Sequence, residues 1–236
     1  MPELDELRTR LAAARSVAVL TGSGISAESG LPTFRGVGGL WRTHRVEELA
    51  SPGGFADDPL LVWTWYLERR HAHAAVQPSP AHRALAQLEV SIPDFTLITQ
   101  NVDSLHIRAG SRNVLELHGA LREARCTACS SRRALDEVTL ETLQHACGGW
   151  WRPDIVWFGE ALPRAALAAA FAAAERAEVM VVVGTSGLVQ PAASLATKRY
   201  TNAYVVEINP EETVLTPQVD LSLRAGASAV LPALLA

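Results

Sequence analysis

Five short apolar segments, each ending in small or polar residues, constrain the fold of this chain more than any other feature. They predict strands that begin at Ser16, Phe95, Asn113, Val179 and Ala203, with LSLRAGAS as a candidate sixth strand. Helical patterns precede or separate most of them, over Glu3–Arg15, Pro80–Glu89, Ser104–Ala109, Leu162–Ala177 and Gln190–Tyr200. Because nearly continuous apolar strands alternate with helices, we predict an α/β fold with a parallel sheet and helices on both faces.

Two insertions interrupt this alternation and predict a smaller domain. Residues 35–76 contain glycines, a Pro-Gly-Gly turn and a Trp-rich helix, and residues 118–152 carry all three cysteines with little strand or helix pattern. We predict that these insertions form a helical module and a cysteine lobe. The remaining segments, 1–34, 77–117 and 153–236, then form a Rossmann-like main domain.

The composition excludes several classes of function. The formal net charge is −4 and there is no basic stripe, so direct binding of DNA or RNA is not expected. Three cysteines in 236 residues do not make a disulfide framework, and the charged N-terminus lacks the apolar core of a signal peptide. No run of about 18 apolar residues predicts a membrane span. We therefore expect a cytoplasmic monomer without membrane partners.

The predicted strands end in groups that are suited to ligand binding. These ends are Thr21-Gly22-Ser23-Gly24, Thr99-Gln100-Asn101, His118-Gly119, Gly184-Thr185-Ser186 and Asn209-Pro210-Glu211. In an open parallel sheet, ligands bind beyond the carboxyl ends of the strands. We therefore predict that the five polar ends converge on one crevice.

The segment TGSGISAESGLP follows the first predicted strand. Its glycines would let backbone amides approach a pyrophosphate, and the N-terminus of the next helix would favour the negative charge. The next glycine after Gly22 and Gly24 is Gly30, so the G-x-G-x-x-G fingerprint of plain Rossmann dehydrogenases is absent. A purely structural turn is the alternative, although three serines in the segment add hydroxyls that a turn does not need.

Taken together, six motifs resemble the sirtuins, a family of NAD-dependent protein lysine deacylases. They are GSGISAESGLPTFRG from Gly22, TQNVDSLHIRAG from Thr99, ELHG from Glu116, RPDIVWFGE from Arg152, GTSGLVQPA from Gly184 and INPE from Ile208, in family order. The resemblance implies that NAD lies across the crevice and that the substrate is an acyl-lysine protein or peptide. The products would be free lysine, nicotinamide and O-acyl-ADP-ribose.

The resemblance also assigns the cofactor-binding residues. They are Gly22, Ser23, Gly24, Ile25, Ser26, Pro32, Phe34, Arg35, Trp41, Gln100, Asn101, Val102, Asp103, His118, Gly184, Thr185, Ser186, Asn209, Pro210, Glu211 and Ala227. The nicotinamide would contact Ile25, Pro32, Asn101 and Asp103. The adenosine side would be lined by Thr185, Ser186, Asn209, Glu211 and Ala227. Arg35 could meet the phosphates or form only a surface salt bridge.

His118 and Asn101 are the predicted catalytic residues. An imidazole, with an ordinary pKa near 6.5, can take a proton from an activated ribose hydroxyl near neutral pH. The Asn101 amide could orient the ribose and a water. His118 could instead only cap a strand end, but the surrounding ELHG and QNVD motifs favour the general base. Asp103 could accept a hydrogen bond from the nicotinamide amide and also cap the following helix.

A Tyr-x-x-Arg pattern in the Trp-rich helix predicts the acyl group. Asp58-Pro59 is a typical helix start, and Tyr66 and Arg69 lie three residues apart on one face. A guanidinium beside a phenol is a good binding pair for a carboxylate, and in sirtuins this pattern marks members that accept succinyl- or malonyl-lysine. Alternatively, Tyr66 only packs and Arg69 is solvated. The substrate peptide is expected to pair with a strand formed by Val156, Trp157, Phe158 and Gly159.

The cysteines depart from the family pattern of two Cys-x-x-Cys pairs around a structural zinc. Cys126 and Cys129 form the first pair, but Gln144 stands where the second pair with Cys147 would begin. His145 could complete a Cys₃His zinc site. The alternative is a lobe that has lost its metal and folds by packing.

Two other functions are compatible with the same crevice. A mono-ADP-ribosyltransferase would also cleave NAD, so the sequence discriminates poorly against it. A non-catalytic NAD-sensing module would not need His118 as a base.

Overall fold

The computed structural model describes residues 2–33, 46–197 and 199–235. Its strands are β1 (Ser16–Thr21), β2 (Asp94–Thr99), β3 (Val114–Glu116), β4 (Gly119–Cys126), β5 (Arg132–Ala134), β6 (Trp151–Ile155), β7 (Val179–Val183), β8 (Tyr204–Ile208) and β9 (Leu221–Leu223). Six of them form one parallel sheet in the order β3-β2-β1-β7-β8-β9. The predicted parallel sheet is therefore confirmed, with the candidate sixth strand at its edge.

The sheet is apolar on both faces because successive side chains of each strand point alternately into one of two apolar cores. In β1, Val17 and Val19 face the core that also contains Leu7 and Leu85, whereas Ala18 and Leu20 face the opposite core. Burial of both faces removes the apolar–polar alternation from these strands and leaves the continuous apolar runs that the sequence displays.

The helices of the described residues are α1 (Pro2–Ala13), α2 (Ser23–Ala27), α3 (Val46–Leu49), α4 (Pro52–Asp57), α5 (Pro59–Ala75), α6 (Pro80–Ser91), α7 (Leu105–Arg108), α8 (Arg164–Arg176) and α9 (Ala227–Val230). Helices α1, α5, α6, α7 and α8 lie near predicted positions, whereas α3, α4 and α9 were not predicted. None of the helices in the described ranges has both the length and the hydropathy that a bilayer crossing requires.

The helix predicted over Gln190–Tyr200 is wrong. The described residues of that range form only a 3₁₀ segment, Ala192–Ala196. The Thr197 hydroxyl donates to the Ser194 carbonyl at 2.8 Å, and the Thr201 hydroxyl donates to the Ala174 carbonyl at 2.6 Å. The Thr197 hydroxyl competes with a helical amide for the Ser194 carbonyl, so the segment turns early. The Thr201 bond ties the following turn to α8.

A second sheet, antiparallel in the order β5-β4-β6, lies where residues 118–152 showed little pattern. Strand β4 carries a register shift between Gly119 and Ala124, which breaks the period of two that would have marked it in the sequence. The sheet shares a third apolar core with α4 and α5, and the Trp63 indole donates to the Trp151 carbonyl at 2.7 Å.

Candidate active site

The carboxyl ends of β1, β2, β7 and β8 meet at a cleft of about 1110 Å³. Most residues of the predicted cofactor set line it: Gly22, Ser23, Gly24, Gln100, Asn101, Val102, His118, Gly184, Thr185, Ser186, Asn209, Pro210, Glu211 and Ala227. A side cavity of about 120 Å³ adjoins it and is lined in part by Ser26, Pro32 and Asp103. The polar strand ends therefore converge as parallel topology requires.

The glycine loop packs backbone against backbone on the end of β7. The Gly24 amide donates to the Gly184 carbonyl at 2.8 Å. A Cβ at position 24 would lie 2.7 Å from the Gly184 Cα, and a Cβ at position 22 would lie 2.8 Å from the Gly184 oxygen. Gly184 itself has φ +60°, a conformation that favours glycine. These glycines are therefore needed for the fold of the loop as well as for access by a ligand.

A buried hydrogen-bond network joins this loop to the end of β2. The Asn101 side-chain amide donates to the Gly22 carbonyl at 3.0 Å and to the Ser26 hydroxyl at 3.1 Å. The Ser26 hydroxyl in turn donates to the Asp103 carboxylate at 2.7 Å. The other Asp103 oxygen accepts the Leu105 amide at 2.8 Å. Asp103 therefore bonds the first amide of α7, although Ser104 is the N-cap residue of that helix.

His118 lies in the turn between β3 and β4. Its Nδ1 lies 2.9 Å from the Gln100 carbonyl, which can only accept, so Nδ1 carries the proton and Nε2 keeps a free lone pair. Burial lowers the pKa of His118, although the bond to Gln100 opposes this shift. The imidazole is therefore held neutral, in one tautomer, at the wall of the cleft.

At the opposite end of the cleft, a buried carboxylate organises the loop that follows β8. Glu207 is 1% exposed. It accepts hydrogen bonds from the hydroxyls of Thr213, Thr216 (2.7 Å) and Ser222 (3.0 Å). Arg224 donates to the Glu211 carbonyl on the same loop. Hydrogen bonds to Glu207 of β8 therefore fix the loop that carries Asn209 and Glu211 to the sheet.

The wall formed by α5 contains the Tyr-x-x-Arg pair. The helix starts as predicted, with the Asp58 carboxylate accepting the Leu61 amide at 2.9 Å. The Tyr66 hydroxyl accepts from the Trp157 indole at 3.1 Å, and the Arg69 guanidinium lies 4.4 Å above the Trp65 ring. Tyr66 and Arg69 both line the cleft.

The strand predicted over Val156–Gly159 is wrong. This segment is a loop and turn that follows β6. Its amides are already engaged, since Val156 donates to the His118 carbonyl at 2.8 Å and Phe158 to the Ala50 carbonyl at 2.9 Å. The Trp157 amide donates to the Glu160 carboxylate at 2.8 Å. All four residues of the segment still line the cleft.

The three cysteines and His145 come together outside the cleft. Their ligand atoms all lie within 4.8 Å of one another. The distance between the Cys126 and Cys147 sulfurs is 3.5 Å, and His145 Nδ1 lies 3.6 Å from the Cys129 sulfur. Ligands around a tetrahedral zinc are separated by roughly 3.5 to 3.8 Å, given the usual bond lengths. The two separations above agree with this range, whereas His145 Nδ1 lies closer to the Cys147 sulfur, at 3.0 Å. The four side chains therefore form a Cys₃His cluster that is consistent with a structural zinc.

Three residues of the predicted cofactor set, Phe34, Arg35 and Trp41, lie outside the described residues. Ile25 is fully buried in the core and lines neither cavity. Conversely, His73 lines both cavities and Glu28 lines the cleft, although neither was predicted. The spacing of four residues between Arg69 and His73 was the available signal for His73.

Comparison with known proteins identifies the family. The sequence profile described as "Sir2 family" matches residues 22–191. The NAD-dependent protein deacylase 2 of Pyrobaculum aerophilum is 51% identical over 227 residues, which cover 95% of this chain and 91% of that protein. An NAD-dependent protein deacylase of Thermus thermophilus is 50% identical, covering 96% of this chain and 92% of that protein. The chain belongs to the Sir2 family.

Solved structures agree over nearly the whole chain. A Sir2 homologue in complex with NAD matches with a TM-score of 0.90 at 47% identity, covering 98% of this chain and 91% of that chain. A Sir2 complex with a p53 peptide and NAD⁺ matches with a TM-score of 0.88 at 32% identity, covering 98% and 97% of the two chains.

Proposed function

We propose that this chain is an NAD-dependent protein lysine deacylase that releases nicotinamide and O-acyl-ADP-ribose. The observation that carries the proposal is the position of His118, a neutral imidazole with a fixed tautomer facing the cleft into which the polar strand ends converge. The Sir2 relatives named above support it. The substrates are acyl-lysine proteins or peptides, and we further propose that the chain acts as a cytoplasmic monomer.

The cleft fits NAD in size and chemistry. The glycine loop at the start of α2, where Gly24 lies against Gly184 without side chains between them, would let a pyrophosphate approach the N-terminal end of the helix. The loop held by Glu207 lines the cleft with Asn209 and Glu211, which would contact the adenosine side of NAD. The side cavity, with Asn101 and Asp103 in its wall, would take the nicotinamide.

The chain's own residues would perform the proton transfer and the positioning. NAD supplies the ribose carbon that accepts the acyl oxygen and supplies nicotinamide as the leaving group. His118 would take a proton from a ribose hydroxyl at its free Nε2, since Nδ1–H is committed to the Gln100 carbonyl. Asn101 would fix the glycine loop and orient the ribose from the same buried position.

Product analysis tests this function. The protein is incubated with NAD and an acetyl-lysine or succinyl-lysine peptide, and the products are identified by mass spectrometry. We expect nicotinamide, free-lysine peptide and O-acyl-ADP-ribose in equal amounts. ADP-ribosylated protein without deacylation would instead support a transferase. NAD binding without nicotinamide release would support a sensor, and either result would refute the proposal.

We further propose that the enzyme belongs to the subclass that accepts acidic acyl groups. Burial raises the pKa of Tyr66, so its hydroxyl stays protonated. The oxygen already accepts the Trp157 indole, which leaves the O–H proton for a ligand. No acidic side chain of the described residues forms a salt bridge with Arg69. A succinyl or malonyl carboxylate would give both groups an anionic hydrogen-bond acceptor.

Replacing Arg69→Met should lower kcat/KM for a succinyl-lysine peptide roughly 10- to 100-fold, because a charge-assisted hydrogen bond is lost. Deacetylation should fall much less, since an acetyl group carries no carboxylate. Arg70→Met is the matched control, because Arg70 pairs with Asp136 at 2.8 Å. Equal desuccinylation by wild type and Arg69→Met would exclude the acidic subclass.

A further inference from the structure

One stripe of α5 extends the Tyr-x-x-Arg pair by a full helical turn. Tyr66, Arg69 and His73 are spaced by three and four residues, so they lie on one face of the helix. All three line the cleft. Arg69 and His73 also line the side cavity, whereas Tyr66 does not. These three residues therefore run along the helix from the cleft toward the side cavity, and His73 lies at the end next to the side cavity.

His73 has a polar atom that the protein does not use. Its Nδ1 is buried and has no hydrogen-bond partner among the described residues. The nearby carboxylate of Asp103 is occupied by the Ser26 hydroxyl and the Leu105 amide. Buried polar atoms are almost always hydrogen-bonded, so an unpartnered one in a cavity wall points to a ligand or to a rotation of the ring on binding.

The charges around His73 favour an anionic ligand. Arg69 and Arg70 of the same helix lie close enough to act on its titration, and Asp103 acts in the opposite sense. Arg108 approaches from α7, donating to the His73 carbonyl at 2.8 Å. Arg70 is paired with Asp136 at 2.8 Å, so Arg69 and Arg108 are the cations left near Asp103, whose carboxylate is already hydrogen-bonded. Burial lowers the pKa of His73, so near neutral pH it would serve mainly as a neutral hydrogen-bond donor.

We propose that His73 is a specificity-determining residue that binds, together with Arg69, the distal carboxylate of an acidic acyl group. This inference rests on the proposed deacylase function and on its acidic subclass. Arg69 would supply the charge, and the imidazole N–H would supply a second, directional hydrogen bond one turn further along the helix, about 5.4 Å. The ligand class is an acyl-lysine that ends in a carboxylate, such as succinyl-lysine.

The test compares succinyl-lysine with butyryl-lysine, which has the same chain length and a methyl group in place of the carboxylate. His73→Leu should lower the succinyl-to-butyryl ratio of kcat/KM about tenfold, the loss expected for one hydrogen bond to a charged group. His73→Gln, which keeps a donor, should recover part of the ratio. His71→Leu, an exposed position on the same helix, is the matched control and should keep the wild-type ratio.

The outcomes separate this inference from the function on which it rests. If Arg69→Met lowers the ratio and His73→Leu does not, the role of His73 is wrong and the acidic subclass stands. If neither variant changes the ratio, the acidic subclass itself is wrong. The side cavity is also the proposed nicotinamide site, so inhibition by nicotinamide is measured for each variant. A change in that inhibition alone, with an unchanged ratio, would assign His73 to nicotinamide and overturn the proposal.

Discussion

At His118, one hydrogen bond and the burial of the ring together set the pH range in which the imidazole can act as a base. The bond from Nδ1 to the Gln100 carbonyl fixes the tautomer, and burial disfavours the imidazolium form. Both effects keep Nε2 available to accept a proton. The pH dependence of the reaction should therefore follow the shifted pKa of His118 and not that of a free imidazole.

Because the pKa of His118 is lowered, the neutral base persists at a lower pH than in a free histidine. We expect the acidic limb of the kcat/KM profile for the acetyl-lysine peptide to have its midpoint below pH 6.5. His118→Ala should remove nearly all nicotinamide release while NAD binding is kept. His71→Ala controls for the loss of an imidazole. A midpoint above that of a free histidine would show that another group limits the rate.

Sequence motifs predicted the individual residues at the cleft better than they predicted the bonds between them. His118 and Asn101 were identified because their motifs are local. The link from Asn101 through Ser26 to Asp103 depends on the placement of β2 beside β1, which no local pattern encodes. Ile25 was assigned to the cofactor set by the family resemblance, and its side chain packs in the core on the side of the sheet that also holds Leu7.

At the scale of elements, the loop after β8 is held by side chains rather than by a sheet ladder. Glu207 anchors it through the hydroxyls of Thr213 and Thr216. Replacing Glu207→Ala should leave these hydroxyls without their acceptor and loosen the loop that carries Asn209. We expect KM for NAD to rise several-fold with a smaller change in kcat, measured at saturating peptide.

Two variants make the role of Glu207 testable apart from general stability. Glu207→Gln keeps the shape and one acceptor oxygen, so it should retain more affinity for NAD than Glu207→Ala. Asp94→Ala removes an exposed carboxylate that pairs with Arg176 far from the cleft and should leave KM for NAD unchanged. Equal KM values for NAD in wild type and Glu207→Ala would show that the loop keeps its conformation without Glu207.

The cysteine lobe is the element with the clearest prediction about a metal. Purified protein should contain close to one zinc per chain, because four ligand atoms are already gathered. His145→Ala should lower this content strongly, whereas Gln144→Ala should not, since Gln144 is outside the cluster and pairs with Trp150. Metal content is measured by mass spectrometry on dialysed protein. Less than about one-fifth of an equivalent in wild type would contradict a structural zinc.

Whether an element was predictable depended on the regularity of its burial. Strand β7 is buried throughout and β1 is buried from Val17 onward, and both were evident as apolar runs. Strand β4 mixes buried and half-buried positions around a register shift, so it left no periodic pattern. Helix α5 was recognisable because Asp58 caps it and proline follows at its first position.

For the whole molecule, a pair of buried histidines predicts weak acid stability. His82 of α6 and His106 of α7 pack against each other, with their ring centroids 4.7 Å apart and their planes inclined by 53°. Burial lowers the pKa of His82 from 6.5 to about 4 and that of His106 well below its usual range. In the unfolded chain His82 becomes protonated near pH 6.5, whereas in the folded chain it stays neutral until about pH 4. The free energy of unfolding therefore falls as the pH drops from about 6.5 toward 4.

We expect the free energy of unfolding, measured by urea denaturation, to fall by on the order of 3 kcal/mol between pH 7 and 4 from His82 alone. His82→Gln should flatten this slope even where it lowers stability overall. His71→Gln, at an exposed position, should leave the slope as in wild type. A wild-type stability that is constant over the same pH range would rule out this account.

The contact between the Gly24 backbone and the Gly184 backbone has a consequence for how inactive variants are interpreted. An alanine at either position would displace the ends of β1 and β7 against each other before any ligand arrives. A catalytically dead glycine variant therefore reports on the assembly of the scaffold and on cofactor contact at once. In a mutational scan of this enzyme, those positions would rank among the least tolerant of substitution. The scan alone would not show whether folding or cofactor binding had failed.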